Sequence, residues 1–141
     1  MPMTDFEPLH IVGIIEEQVT APKNDGTPGS ALYRVPFKLS RHPPAEWAEY
    51  FPNACDHPSS LTSSHRPGIC SVVGDTIWLN RTTLEEVERT HKKTLQLALD
   101  ETNQKYAEFL AKRDAEVERR RKEQDAHKQH VSETVKKIKF D

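Results

Sequence analysis

The sequence predicts an α+β fold: a small antiparallel sheet with the element order β-β-α-β-β-α, and a very long C-terminal helix that projects from the body. Two observations lead to this expectation. All 5 Gly and all 10 Pro residues fall at or before Gly74, so the chain from Asp75 onward contains no strong helix breaker. Before that point, short β-branched and alternating apolar runs are separated by turn residues, as is typical of strands. An even alternation of strands and helices along the chain is therefore excluded.

The first pair of strands is predicted on either side of a turn-rich loop. Residues 9–19 form the first strand because they are rich in β-branched side chains, and residues 31–39 form the second because apolar and polar side chains alternate. The loop between them, residues 20–30, is rich in Pro and Gly. Pro36 lacks an N–H group and therefore indicates an edge position or a bulge. We expect the two strands to be antiparallel.

A short helix with an aromatic face is predicted next. Proline in the first turn and early glutamates favour a helix over residues 45–51, and Trp47, Tyr50 and Phe51 share one side of it. Trp47 and Tyr50 each combine a ring with a polar group, which makes them candidate partner-binding residues. Residues 52–67 have no apolar periodicity and are rich in Pro, Ser and His, so we expect an irregular segment there.

The second pair of strands is predicted as a tight hairpin. Residues 69–73 and 76–80 flank Gly74-Asp75, which is a two-residue turn signal of the Gly-X kind. We expect the four strands to form one or two antiparallel hairpins that pack on the aromatic helix and on the first part of the long helix.

The long helix is predicted to begin at Thr82 or Thr83. Thr82 with Glu85, and Thr83 with Glu86, both fit a capping box, and no residue obliges the helix to end before Lys139. At 1.5 Å per residue it would be roughly 85 Å long, more than a small body can cover. Its first part carries an apolar stripe with a repeat of about 3.67 residues. The stripe comprises Leu84, Val87, His91, Leu95, Ala98, Thr102, Tyr106, Phe109 and Val117.

We therefore predict a compact α+β body over residues 1–110 and a charged helical extension over residues 111–141. Glu four residues before a basic residue recurs in the extension, and such pairs stabilise a solvated helix by about 0.2–0.5 kcal/mol each. An apolar face returns near its end, far from the body, where another helix is the surface that it fits best. The candidate partner-binding residues of the extension are Val117, Val131, Val135, Ile138 and Phe140.

Charge and cysteine content limit the possible functions. The 20 basic and 22 acidic residues are balanced, which argues against a general nucleic-acid or membrane-surface binder. The sequence predicts no signal or transmembrane segment, and with two cysteines we expect a reducing, cytoplasmic location. A basic excess lies at the C-terminal tip, so an accessory role in contact with nucleic acid is the alternative. Its candidate residues are Arg119, Arg120, Arg121, Lys122, Lys136 and Lys137.

A group of cysteine and histidine residues carries a third hypothesis. Two thiolates and two imidazoles can complete a tetrahedral zinc site, for which the candidates are Cys55, His57, His65 and Cys70. Their spacing matches no common zinc motif, so unpaired cysteines and loop histidines are the main expectation. A disulfide between Cys55 and Cys70 is expected less than either, because the chain is assigned to a reducing compartment.

No catalytic constellation is evident. Ser63, Ser64 and His65 are adjacent and Asp56 is near, but the sequence has neither a nucleophile elbow nor a Gly-framed oxyanion loop. We therefore predict no catalytic residues and no cofactor. The favoured function is a non-enzymatic interaction or assembly protein that self-associates, or docks a larger protein partner, through its long C-terminal helix.

Overall fold

A computed structural model of the protein describes residues 6–57 and 68–140 and has the predicted α+β fold with a long helix. The strands are β1 (Ile11–Ile14), β2 (Tyr33–Leu39), β3 (Cys70–Val73) and β4 (Thr76–Thr82). The helices are α1 (Ala45–Asp56), α2 (Leu84–Glu86) and α3 (Lys92–Lys137), and a π-helical turn, Val87–His91, joins α2 to α3. A short 3-10 turn, Glu16–Gln18, follows β1 in place of the second half of the predicted first strand.

The four strands form one antiparallel sheet in the order β1-β2-β4-β3. The β3–β4 hairpin turns at Gly74-Asp75 as predicted, and the positive φ of Gly74, +60°, is the conformation that this turn needs at its first central residue. Pairing of β2 with β4 joins the two predicted strand pairs into a single sheet. As a result, β2 and β4, which are far apart in sequence, are the two central strands of the sheet.

Proline in the middle of β2 is accommodated although β2 is an interior strand and not an edge. The Pro36 carbonyl accepts a hydrogen bond from the Ile15 N–H group at 3.0 Å. In an antiparallel strand, the N and C=O groups of one residue face the same neighbour. The missing N–H of Pro36 therefore faces β1, which ends at Ile14. Pro36 therefore removes no hydrogen bond from the regular pairing of β1 with β2, because β1 has ended at this point.

A β-bulge interrupts the pairing of β2 with β4. Two residues of β4, Asn80 and Arg81, oppose the single residue Arg34 of β2. Arg81 has a φ of +64°, in the left-handed region that costs a non-glycine residue about 1–2 kcal/mol. Because of the bulge, Arg81 does not follow the alternation of buried and exposed side chains along β4.

The hydrophobic core combines one face of the central strands with α1 and the first half of α3. Buried apolar side chains alternate along the central strands β2 and β4, as expected for a sheet with one covered face. The main core residues are Leu9, Val35, Phe37, Leu39, Trp47, Phe51, Cys55, Ile77, Leu79, Leu95, Ala98, Leu99 and Tyr106.

The apolar stripe of the long helix is confirmed over its central part. The buried stretch begins at Val87, at the start of the π turn, and ends at Tyr106 in α3. Leu84 is 40% exposed. Of the two candidate capping residues, Thr83 is the N-cap: its hydroxyl oxygen accepts from the Glu86 N–H at 3.1 Å. The Thr82 hydroxyl instead donates to the Glu86 carboxylate at 3.0 Å.

Asn103 links three segments of the fold. Its Oδ1 atom accepts hydrogen bonds from the backbone N–H of Leu9 at 3.0 Å and from Nε1 of Trp47 at 2.9 Å. Its Nδ2 atom donates to the Leu9 carbonyl at 2.8 Å. Trp47 also stacks on Phe51, with the ring centroids 5.4 Å apart. One amide side chain thus joins α3, α1 and the chain that precedes β1.

The short helix is longer than predicted. Residues 52–56, which we expected to be irregular, continue α1 through Pro52 to Asp56. The remainder of that predicted irregular segment, residues 58–67, lies outside the described residues. Burial of the apolar face of the last turns, including Ala54 and Cys55, accounts for the helix continuing past a proline.

The two cysteines form a disulfide, which was the least expected of the alternatives. Cys55 near the end of α1 is bonded to Cys70 at the start of β3, with the Cα atoms 6.5 Å apart and both side chains buried. That separation lies within the ordinary range for disulfides. The bond therefore ties α1 directly to the sheet.

The described chain divides into two compact units. The first, Glu7–Tyr106, contains the sheet, α1 and the buried part of the long helix. The second contains the helix from Ala107 onward. The predicted functional division at residue 110 stays a prediction.

Candidate functional site

The candidate interaction surface lies on the second unit. None of the described residues between 107 and 140 is fully buried, although α3 continues to Lys137. Within this stretch the exposed fractions of five apolar side chains are 62% for Val117, 44% for Val131, 59% for Val135, 55% for Ile138 and 93% for Phe140. All five are the partner-binding candidates from the sequence. Their apolar surface is open to solvent in the single chain.

Intrahelical ion pairs occupy the middle of this surface. Glu116 accepts from Arg119 at 3.1 Å and from Arg120 at 3.0 Å, and Arg121 bonds Asp125 at 3.2 Å as well as Glu118. The hydrogen bond from Arg119 holds the pKa of the Glu116 carboxyl below its ordinary value. These contacts are spaced three or four residues apart, which supports a helix without a core beneath it.

The ion pairs also bear on the nucleic-acid hypothesis. Arg119, Arg120 and Arg121 each have a carboxylate partner one turn away, so local negative charge offsets the three guanidinium groups. Lys122, Lys136 and Lys137 are exposed on the same helix. The arrangement does not concentrate positive charge on one face, and contact of this run with nucleic acid stays a prediction.

A seven-residue spacing runs through the exposed part of α3, and the sequence reasoning missed it. It comprises Leu110, Val117, Gln124 and Val131 of α3, and Ile138, which directly follows the last residue of α3. Val135 lies four residues after Val131 and three before Ile138. In a coiled-coil heptad, this spacing would assign the five residues to d positions and Val135 to an a position. We call these six residues the heptad stripe. The signal was readable from the sequence, but the polar Gln124 interrupts it.

Charged residues beside the stripe limit how strongly it can pair with another helix. The remaining a positions hold Asp114, Arg121 and Lys128, which are charged. Charged residues at such positions reduce the stability of pairing, and in a parallel, in-register pair each would face the same charge on the other helix. These charged positions would weaken any pairing of helices through the stripe.

The aromatic candidates of α1 are placed differently from each other. Trp47 has no exposed surface and belongs to the core, so it offers nothing to a partner. Tyr50 is half-buried, and the Lys105 ammonium lies 4.8 Å from the centre of its ring. We therefore leave Trp47 out of the interaction surface.

The cysteine–histidine group is partly outside the described residues. The Cys55–Cys70 disulfide leaves no thiolate to ligate a metal while it is intact. His57 follows the end of α1, where its Nδ1 lies 3.0 Å from the Asn53 carbonyl oxygen, and His65 lies in the undescribed segment. Within the described part of the chain, no three His, Cys, Asp or Glu residues are grouped to hold a metal ion. A zinc site stays a prediction for the reduced chain.

Comparisons with known proteins add no relative. No protein-family model matches the sequence, and no curated protein or solved structure is similar to it. Among the residues that the structure describes, no helix is both long enough and apolar enough to cross a membrane. The protein's function therefore has to be inferred from the chain's own residues.

Proposed function

We propose that this protein is a non-enzymatic interaction and assembly protein that works through residues 111–141 of its long C-terminal helix. The observation that carries the proposal is exposed apolar surface on Val117, Val131 and Val135 of α3, which has no buried residue after Tyr106, and on Ile138 and Phe140 directly after that helix. Ion pairs within the helix can stabilise it in solvent, so exposed valine and isoleucine side chains are not required for the helix to form. Apolar residues repeated at heptad spacing are explained when a second helix covers them.

A second copy of the chain is the occupant that we favour. In a parallel, in-register pair, the g position of one helix lies opposite the following e position of the other. Arg113 and Arg120 occupy g positions, and Glu118 and Asp125 occupy the matching e positions. Both pairs of facing charges are therefore opposite in sign. The carboxylates of Glu118 and Asp125 already accept from Arg121, and each has lone pairs left for a second donor.

Site-directed cross-linking tests this arrangement in the full-length protein. Gln124→Cys places a thiol at the centre of the heptad stripe, whereas the matched Ala126→Cys places it on the opposite side of the same turn. Under mild oxidation we expect the Gln124→Cys variant to form a covalent dimer quickly and the Ala126→Cys variant to remain monomeric. Equal, slow cross-linking of both variants would contradict pairing through the stripe and leave a larger protein partner as the alternative.

A further inference from the structure

The β-bulge in β4 opens onto a cleft that the proposed function does not use. Its volume is about 450 Å³, within the size range of small-molecule sites. We call it the bulge cleft. It is lined by Thr20, Ala21, Lys23, residues 27–30, Leu32, Tyr33, Arg34, Asn80 and Arg81. All of these residues belong to the first unit.

The charge of the lining has one sign. Among the described residues, those that line the cleft include three cations, Lys23, Arg34 and Arg81, and no carboxylate. The nearest acidic residue in sequence, Asp25, turns its Oδ1 atom to the Thr27 backbone N–H at 3.0 Å and to the Thr27 hydroxyl. The hydroxyl contact lowers the pKa of Asp25, so this carboxylate stays ionised while it organises the loop. None of the residues that line the cleft is a carboxylate, so the charge of the lining itself is positive.

Arg34 is held in place by neutral groups. Its Nε atom donates to Oδ1 of Asn80 at 2.7 Å, and its guanidinium lies 4.4 Å from the centre of the Trp78 ring. Its backbone N–H donates to the Thr20 hydroxyl at 2.8 Å, which fixes the near wall of the cleft. Because neither side-chain partner is charged, they orient the guanidinium without neutralising it. A preorganised guanidinium fork is suited to the oxygens of a phosphate group.

Arg81 reaches the same cleft through a backbone conformation that arginine seldom adopts. Its φ of +64° and the bulge turn it out of the β4 alternation, and its Nη2 atom would lie 3.4 Å from a Cβ atom at Gly29. Gly29 itself has a φ of +79°, in a turn closed by the Ser30 N–H to Thr27 carbonyl bond of 3.1 Å. A glycine or asparagine at position 81 would reduce the strain but would carry no charge. Strained non-glycine residues beside a cleft point to function.

We propose that the bulge cleft binds a small phosphate-bearing ligand of about nucleotide size. The three cations match an anion of two or more charges, and the cleft volume exceeds what a single phosphate group fills. The site lies in the sheet unit, so its occupancy is independent of the proposed pairing of the long helix.

Calorimetric titration of the full-length protein at low ionic strength tests the proposal, with inorganic pyrophosphate and ADP as probes. We expect saturable binding of one probe molecule per chain by at least ADP. Arg34→Gln and Arg81→Asn should each raise the dissociation constant by about tenfold or more, since each removes charge-assisted hydrogen bonds. Asparagine tolerates the left-handed conformation, so Arg81→Asn removes charge without adding strain.

Lys38→Gln is the matched control. Lys38 lies on the same strand as Arg34, on the same face, and pairs with Asp75 away from the cleft. Its substitution should leave the affinity within about twofold of the unsubstituted protein. If the Arg81→Asn variant does not fold, the affinities of the Arg34→Gln and Lys23→Gln variants test the proposal in its place. Absence of saturable binding of both probes, an equal effect of Lys38→Gln, or binding of a single-stranded oligonucleotide but of neither small probe would overturn the proposal.

Discussion

Single residues with unusual partners hold the first unit together, and Asn103 is the clearest of them. Three hydrogen bonds of 2.8 to 3.0 Å connect its amide to Leu9 and Trp47. All of the groups involved are wholly or partly buried, so water cannot replace a lost partner without cost. From the sequence alone, Asn103 is one polar residue among many on a charged helix, and no local pattern distinguishes it.

Substitution of Asn103 should therefore destabilise the protein out of proportion to its size. We expect Asn103→Ala to lower the free energy of unfolding by about 3 kcal/mol, because the Trp47 and Leu9 groups lose their partners. Asn103→Asp keeps the acceptor but turns a carboxylate oxygen towards the Leu9 carbonyl in place of the donor, so it should also destabilise the protein. Urea unfolding measures both, with the exposed Glu101→Ala on the same helix as the control. If Asn103→Ala and Glu101→Ala have equal small effects, the linking role is wrong.

At the scale of elements, helices and strands were predictable wherever a local pattern decided them. The Gly74-Asp75 hairpin, the alternation in β2 and the helix cap at Thr83 all follow from chemistry within a few residues. The end of α1 was not predictable, because an interior proline argues against a helix and only tertiary burial of Phe51 and its neighbours outweighs it. The β4 bulge escaped prediction for a similar reason, since nothing in the sequence indicates Arg81 in a left-handed conformation.

The Cys55–Cys70 disulfide joins two elements and should contribute to stability. It spans 15 residues of sequence, and a loop of that length corresponds to a stabilisation of about 3 kcal/mol through restriction of the unfolded chain. A reducing agent should therefore shift the urea midpoint of the unsubstituted protein to lower concentration. The double variant Cys55→Ser/Cys70→Ser should begin at that lower midpoint and not respond to reductant. An unsubstituted protein that is indifferent to reductant would show that the bond adds no stability.

At the scale of the whole molecule, the chain places two kinds of surface on its two units. The first unit carries a cationic cleft beside the sheet, and the second carries apolar side chains on a helix with no core beneath it. The C-terminal apolar face was visible in the sequence because Val131, Val135 and Ile138 follow a helical period. The cleft could not be predicted from the sequence. It brings together Lys23 from a loop, Arg34 from β2 and Arg81 from β4, and no local sequence pattern predicts that β2 pairs with β4.

The central claim is that copies of this chain pair through the heptad stripe, and sedimentation equilibrium over a wide range of protein concentration tests it most directly. The unsubstituted protein should approach twice its monomer mass as concentration rises. Val131→Ser/Ile138→Ser should remain monomeric, since it removes apolar area that only pairing buries. The matched variant Ala115→Ser/Ala126→Ser, with both changes off the stripe, should behave as the unsubstituted protein does. A monomer mass for all three proteins at every concentration would contradict the claim.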